Sequence, residues 1–263
     1  MKKYIIEGVS NGGSKNSLNQ DACFAGRTKT CNAEAVFVAV CDGMGGMKSG
    51  ELASATIIEE ARNWFYSKCD LEEDWLVIEE EIVDEWRQVL IRCNEKIIKY
   101  GKDKGIKLGS TSAFILLWGE RVLVSNVGDT RVYELTEDGL LRRLSMDHSV
   151  VGKEIAAGKI TEEEAKKDAR NNILTQCVGF YPQITPFFYS GAAVSKGLYI
   201  VSSDGFYNKV KNDEIIENLN YRRCINEEKL SNSLKDLVVK DRKRGECDDI
   251  TIVAVRVDSE KEK

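Results

Sequence analysis

Glu34-Ala35-Val36-Phe37-Val38-Ala39-Val40-Cys41-Asp42-Gly43-Met44-Gly45-Gly46 is a continuous apolar run that stops at an acid followed by three glycines within four residues. A valine-rich run of this kind reads as a strand buried on both faces. A carboxylate at its end has a rigid support. Gly43 lacks a Cβ, so its carbonyl can approach a bound ion closely, and Gly45 and Gly46 permit a sharp departure. Taken alone, the stretch fits an ordinary glycine turn better than a metal site. The flanking chain has to decide between them.

Before this stretch, residues 3 to 9 and about 20 to 25 predict short strands around a glycine-rich loop, Gly8 through Gly13, whose polar continuation closes at Asp21. After it, apolar residues at Ala53, Ile57, Ala61 and Trp64 predict an amphipathic helix over about 49 to 67. Ile78, Ile82, Trp86, Val89, Cys93 and Ile97 predict another over about 73 to 100. A β-rich block follows, with strands at Ser110 to Trp118, Arg121 to Asn126 and Thr130 to Leu135, and Asp129 in the turn before the last. Residues from about 148 to 175 read as a mobile surface insertion, in which Thr161-Glu162-Glu163-Glu164 predicts a capping box. His148 reads as a structural or loop histidine. Strands return at about 183 to 190 and at Gly197 to Ser202, the latter ending in Ser203-Asp204-Gly205. Helices at about 211 to 219 and 226 to 240 precede a last buried strand that begins around Cys247-Asp248-Asp249. No linker, repeat or low-complexity segment divides residues 1–263, which predicts a single domain.

Composition narrows the function classes. The 263 residues are 42% apolar, enough for a substantial core, and carry 38 basic and 43 acidic side chains mixed along the chain for a net charge of −5. No basic face announces a nucleic-acid partner. The N-terminal apolar stretch is too short for a signal peptide, and no later run approaches membrane-spanning length, which predicts a cytoplasmic protein with no membrane partner. Eight cysteines without a C-x-x-C pair predict reduced, mostly buried thiols. A single histidine argues against a histidine-based zinc site.

Three predicted strand edges therefore carry Asp42-Gly43, Asp204-Gly205 and Asp248-Asp249, with Asp21 and Asp129 as further loop acids. Converging carboxylates repel one another and raise each other's pKa unless cations neutralise them. Oxygen-only ligation selects hard divalent ions, Mg²⁺ or Mn²⁺. Two such ions about 4 Å apart can activate a water for in-line attack on phosphorus. Spacing alone does not establish that these strand ends meet.

The ordered series NQDA (19–22), CDGMGG (41–46), GSTSA (109–113), NVGDTRVY (126–133), DHS (147–149), SSDGFY (202–207) and DDIT (248–251) resembles the metal-dependent PP2C-type (PPM) serine/threonine phosphatases, and of these the bacterial kind. The resemblance runs through nearly the whole chain. It implies an α+β fold with a central antiparallel β-sandwich flanked by helix pairs in four layers. It further implies that Asp42 bridges two metal ions, that the Gly43 carbonyl binds one of them, and that Asp204 and Asp248 complete the site. Asp21 would act close to the metals by holding water, and Asp129 matches an acid that helps hold a third, weaker ion. The insertion after His148 matches a variable flap that touches the protein substrate.

Two positions depart from the pattern. Where many members carry a phosphate-binding arginine this chain has Asn16, with Lys15 beside it as a cation lacking bidentate geometry. Met44 stands where animal members carry a histidine proposed as general acid, as is common in bacterial ones. Cys41 and Cys247 each precede a proposed ligand, and alternation along a strand predicts that both thiols point away into packing. The expected activity is hydrolysis of phosphoserine and phosphothreonine in proteins, the partners being a phosphorylated substrate and a cognate kinase or its targets. A catalytically silent module that binds a phosphoprotein is the alternative. A two-metal nuclease is disfavoured by the acidic balance.

Overall fold

A computed structural model describes residues 2–14, 18–29, 34–45, 49–69 and 79–259. The chain runs β1 (Lys2–Asn11), β2 (Asp21–Lys29), β3 (Glu34–Gly45), α1 (Gly50–Cys69), α2 (Glu79–Lys104), β4 (Leu108–Ser110), β5 (Ser112–Trp118), β6 (Arg121–Val127), β7 (Arg131–Thr136) and β8 (Leu141–Arg143). It continues through α3 (Val150–Ala156), α4 (Glu162–Ala165), β9 (Phe187–Ala192), β10 (Lys196–Ser202), α5 (Asp204–Tyr207), α6 (Asn212–Asn218), α7 (Glu227–Lys243) and β11 (Ile250–Ser259).

The strands form two antiparallel sheets. One has the order β1-β11-β10-β7-β8, the other β2-β3-β5-β6-β9, with β4 added to the end of β3. Strand β3 shows why the sheets stack between helices. Its Val36, Val38 and Val40 pack with Val253, Val255 and Tyr199 of the facing sheet. Its Ala35, Phe37, Ala39 and Cys41 pack with Ile57, Phe65, Trp86 and Cys93 of α1 and α2. Side chains alternate along a strand, so a run apolar at every position buries both faces. The first sheet repeats the arrangement, Leu198, Ile200, Ile252 and Ala254 lying under Leu230, Leu234 and Leu237 of α7. Helices on both outer faces give the four-layer α+β sandwich.

One predicted strand is broken. Ser110 to Trp118 divides at Thr111, whose N–H donates to the Asp42 carbonyl (2.8 Å) while its hydroxyl accepts from the Asp42 N–H (2.9 Å). The break frees β4 to pair with Gly43–Gly45 while β5 pairs with Ala35–Val40. The capping box at Thr161 is present, with the Glu164 N–H on the Thr161 hydroxyl and the Thr161 N–H on the Glu164 carboxylate. Residues 70–78, which include the predicted beginning of the second helix, lie outside the described residues.

Candidate active site

The β2–β3 ladder places Asp21 directly opposite Asp42. Thr111 and the Ser110 hydroxyl, which donates to the Asp42 carbonyl at 2.9 Å, fix the main chain of Asp42 on the other side. Gly43 is held by its N–H to the Gln20 carbonyl at 3.1 Å. A Cβ at Gly43 would lie 2.2 Å from the Gly50 carbonyl oxygen, and a Cβ at Gly50 would lie 2.7 Å from that of Gly43. Both glycines are thus demanded by the close approach of β3 to the start of α1, a packing reason separate from ion binding.

The other sheet supplies the second half. Ser203, just past β10, donates its hydroxyl to Asp21 Oδ2 at 2.8 Å and accepts from the Thr251 N–H at 2.9 Å, so its side chain ties the two sheets together. Asp204 opens α5. A Cβ on the next residue, Gly205, would lie 2.0 Å from the Asp249 carbonyl, so only glycine lets the Asp204 and Asp248 segments meet. Asp249 accepts from the Gly13 N–H (2.7 Å) and the Gln20 N–H (2.8 Å), clamping both ends of the loop that runs from 13 to 20. Asp129 follows Gly128, whose φ of 96° calls for glycine, and its carbonyl accepts from the Tyr207 hydroxyl at 2.9 Å. Arg131 forks onto Asp147 and stacks 3.7 Å over the Tyr207 ring, which walls the site beside Asp129.

Asp42, Gly43, Asp129, Asp204 and Asp248 all line one cavity of about 260 Å³, edged by Asn172 and Leu174. A neighbouring cavity of about 380 Å³ shares Asp129, Asn172, Asp204 and Asp248 with it and extends under α3 and α4. Segment 148–175 therefore roofs the acids. It is tied at its base by the His148 N–H to the Gly128 carbonyl (2.9 Å) and the Thr175 N–H to the His148 carbonyl (2.7 Å). The buried His148 ring accepts from the Gly128 N–H through Nδ1, and burial lowers its pKa, so it serves as a neutral structural group.

Burial, reinforced by Asp21, Asp204, Asp129 and Asp248, raises the pKa of Asp42 well above the usual carboxylate range. Burial, with Asp204 and Asp147 and against Arg131, does the same for Asp129. Asp21 is pushed up to about 7 by burial, opposed by hydrogen bonds from Thr251 and Ser203. Its Oδ1 is buried and accepts no hydrogen bond among the described residues. Among the described residues, no cation pairs with Asp42 or Asp21. Acids crowded in this way fit divalent cations, which would restore the ionised form. No three His, Cys, Asp or Glu side chains among the described residues close up enough to enclose an ion by themselves. The acids instead ring an open cavity, which suits a hard ion that keeps several of its waters.

Lys15 and Asn16 lie outside the described residues. The expectation for Cys247 is overturned: Cys41 is buried in the core, but Cys247 is exposed and lines the larger cavity next to Asp248. Strand β11 begins only at Ile250, so alternation does not govern a residue in the preceding loop. Cys23 is exposed as well, whereas Cys93, Cys177 and Cys224 are buried, and all the described cysteines are free. Sequence reasoning passed over Gly50 and Asn172, and it gave no individual role to Thr111 or Asp249, although both lie in the motifs it singled out. For Asp249 a signal existed in the doubled acid.

Comparison with known proteins agrees with this geometry. The protein phosphatase 2C family pattern matches residues 12–238. A Streptococcus pyogenes protein assigned to the protein phosphatase 2C type is 31% identical over 256 residues, covering 94% of this chain and 95% of its own. The serine/threonine phosphatase stp of Listeria monocytogenes is 29% identical, covering 84% of each. Among solved structures, the Streptococcus agalactiae serine/threonine phosphatase superposes with a TM-score of 0.81 at 26% identity over 98% of this chain and 100% of the other. The catalytic domain of the phosphatase PstP, solved with two manganese ions, shares the fold with a TM-score of 0.79 at 23% identity over 98% of this chain and 100% of its own. The chain belongs to the protein phosphatase 2C family.

Proposed function

We propose that this protein hydrolyses phosphoserine and phosphothreonine in other proteins at the cavity between the two sheet ends, using divalent metal ions. The observation that carries the reading is the convergence of Asp42, Asp129, Asp204 and Asp248, from four separate segments, on one cavity. The names of the relatives support the substrate class.

Asp42, Asp204 and Asp248, with the Gly43 carbonyl, would hold two ions, and Asp129 a third and weaker one. The oxygen donors suit Mn²⁺ and Mg²⁺ alike. When bound, such ions supply Lewis acidity and a water made nucleophilic at neutral pH. The chain's own work is positional. Thr111 and Ser110 keep Asp42 from shifting along its strand. Asp21 Oδ1 offers an acceptor for a water hydrogen, while Ser203 fixes the other oxygen of that carboxylate. Segment 148–175 supplies Asn172 and Leu174 to the rim above the acids. Asp249 holds the loop that leads to Lys15 and Asn16, where the substrate phosphate would be met. Attack comes from water in line with the leaving serine or threonine oxygen, without a phosphoenzyme. Partners are phosphorylated proteins, among them a cognate kinase or its targets. The free thiols and the absence, among the described residues, of a helix long and apolar enough to cross a membrane support action in the cytoplasm.

The test is phosphate release from a phosphothreonine peptide and from p-nitrophenyl phosphate with Mn²⁺, with Mg²⁺ and with EDTA, beside Asp42→Asn. Turnover that needs metal and is lost in the variant supports the reading. A folded protein that binds the phosphopeptide yet turns over neither substrate in any metal would overturn it in favour of the binding module.

A further inference from the structure

Gly45, at the edge of the catalytic cavity, pairs with Leu108 across the β3–β4 ladder. Neighbouring strands lie roughly 5 Å apart. Leu108 also lines two further cavities, one of about 480 Å³ between α2 and the 179–182 segment and one of about 330 Å³ between α1 and α2. Ile98, Ile106, Phe180 and Pro182 make the larger cavity an apolar groove, and Tyr100 and Leu52 line the smaller.

The groove is built into the fold. Buried Asn94 donates to the Tyr181 carbonyl (2.9 Å) and accepts from the Gly179 N–H (2.6 Å), fixing the wall that Phe180 belongs to. A Cβ at Gly179 would lie 2.3 Å from Ile97 Cγ2, and one at Gly101 would lie 2.8 Å from the Ile106 carbonyl. Phe180 and Tyr181 in that wall are nonetheless 45% and 37% exposed, as are Tyr100 (40%) and Leu52 (45%) of the neighbouring cavity. Large apolar groups gathered on a preformed surface mark a contact site.

Charge indicates what the groove takes. Between Glu95 and Lys107 the sequence carries five lysines against two acids, in a chain whose net charge is −5. Lys96 pairs with Glu60. Among the described residues Lys99, Lys102, Lys104 and Lys107 form no ion pair, and Lys102 and Lys107 line the larger cavity. The dipole of α2 accounts for lysines in its last turn but not for Lys107, which lies beyond the helix. Glu59 and Glu60 line the smaller cavity and disfavour acids there, which leaves the larger as the place for them.

Resting on the phosphatase reading above, we propose that this groove docks an acidic, apolar stretch of the phosphoprotein substrate, with carboxylates at Lys102 and Lys107 and apolar side chains over Ile98, Ile106 and Phe180. The Gly45–Leu108 pair then places docked chain beside the cavity that takes the phosphoresidue.

The test uses the full chain and a fluorescein-labelled, non-phosphorylated peptide that alternates Asp or Glu with Leu and Phe, read by anisotropy beside the same peptide with each acid replaced by lysine. The acidic peptide is expected to bind at least about tenfold more tightly, and less tightly as salt rises. Lys102→Glu combined with Lys107→Glu should reverse that preference and leave p-nitrophenyl phosphate turnover as in the wild type. Appending the acidic tract to either side of a phosphothreonine peptide should lower KM on at least one side with kcat unchanged. Equal binding of both peptides, a preference that survives the double variant, or an unchanged KM on both sides overturns the docking site. Acidic-peptide binding without any metal-dependent turnover would instead sink the phosphatase reading and leave the groove standing.

Discussion

Asp21 and Asp42 face each other across the β2–β3 ladder, and a serine from the other sheet, Ser203, donates to Asp21 from behind. Two carboxylates so placed are held together by the fold against their own repulsion. Replacing Asp42 by asparagine removes a charge that only bound metal would compensate. Asp42→Asn is expected to lower phosphate release by at least about 10²–10³-fold, as for the loss of a preorganised electrostatic group, while melting in EDTA stays equal to or above that of the wild type. A variant that turns over near the wild-type rate sinks the assignment of Asp42.

Metal removal should expose the same repulsion as a pH dependence. Asp21 is pushed up to about 7, and burial and acidic neighbours raise Asp42 well above the usual carboxylate range. In the unfolded chain these acids titrate near 4. The folded state therefore binds more protons between those values. The stability from Asp21 is fully present below about pH 4 and is lost as pH rises through about 7, by at most about 1.4 kcal/mol per pH unit, and Asp42 adds a loss of the same sign. The gap between melting temperatures in Mn²⁺ and in EDTA should widen from pH 5 to pH 8. A constant gap would mean that the acids do not share the ions.

Much of this arrangement was legible in the sequence, because a strand buried on both faces and a helix with one apolar stripe each leave a periodic trace. Phe37 and Val38 point to different cores and both had to be apolar. The ordered acidic motifs marked Asp42, Asp129, Asp204 and Asp248, and the fold brings all four to one cavity. What periodicity could not carry were contacts between segments far apart in the chain. Nothing in the local pattern at Thr111 says that it will exchange hydrogen bonds with Asp42, 69 residues away. Gly50 reads as a poor helix residue until the Gly43 carbonyl is seen against it. Cys247 was misplaced because its strand begins three residues later than the apolar run suggested.

Asp249 is expected to behave as a positioning residue. Its two oxygens take the N–H groups of Gly13 and Gln20, and Asp249→Ala leaves both donors without that acceptor. Loss of two charge-assisted bonds should cost roughly 2–4 kcal/mol of stability. With the loop loosened, KM for a phosphopeptide should rise several-fold more than kcat falls. Asp249→Asn, which keeps one acceptor oxygen, should recover part of both. Equal losses in kcat and KM for the two variants would point instead to direct ligation.

The Cys247 thiol gives a chemical probe of the cavity. Among the described cysteines Cys23 and Cys247 are exposed, while Cys41 is sealed in the core beside the same acid cluster. Iodoacetamide on the folded protein should therefore label Cys247 and Cys23 and spare Cys41, as read by peptide mass spectrometry. A carboxamidomethyl group on Cys247 sits in the wall shared with Asp248 and Asp204, so labelled enzyme should lose phosphopeptide turnover. Cys247→Ser should resist the inhibition and Cys23→Ser should not. Turnover unaffected by full labelling of Cys247 would mean that substrate does not pass that wall.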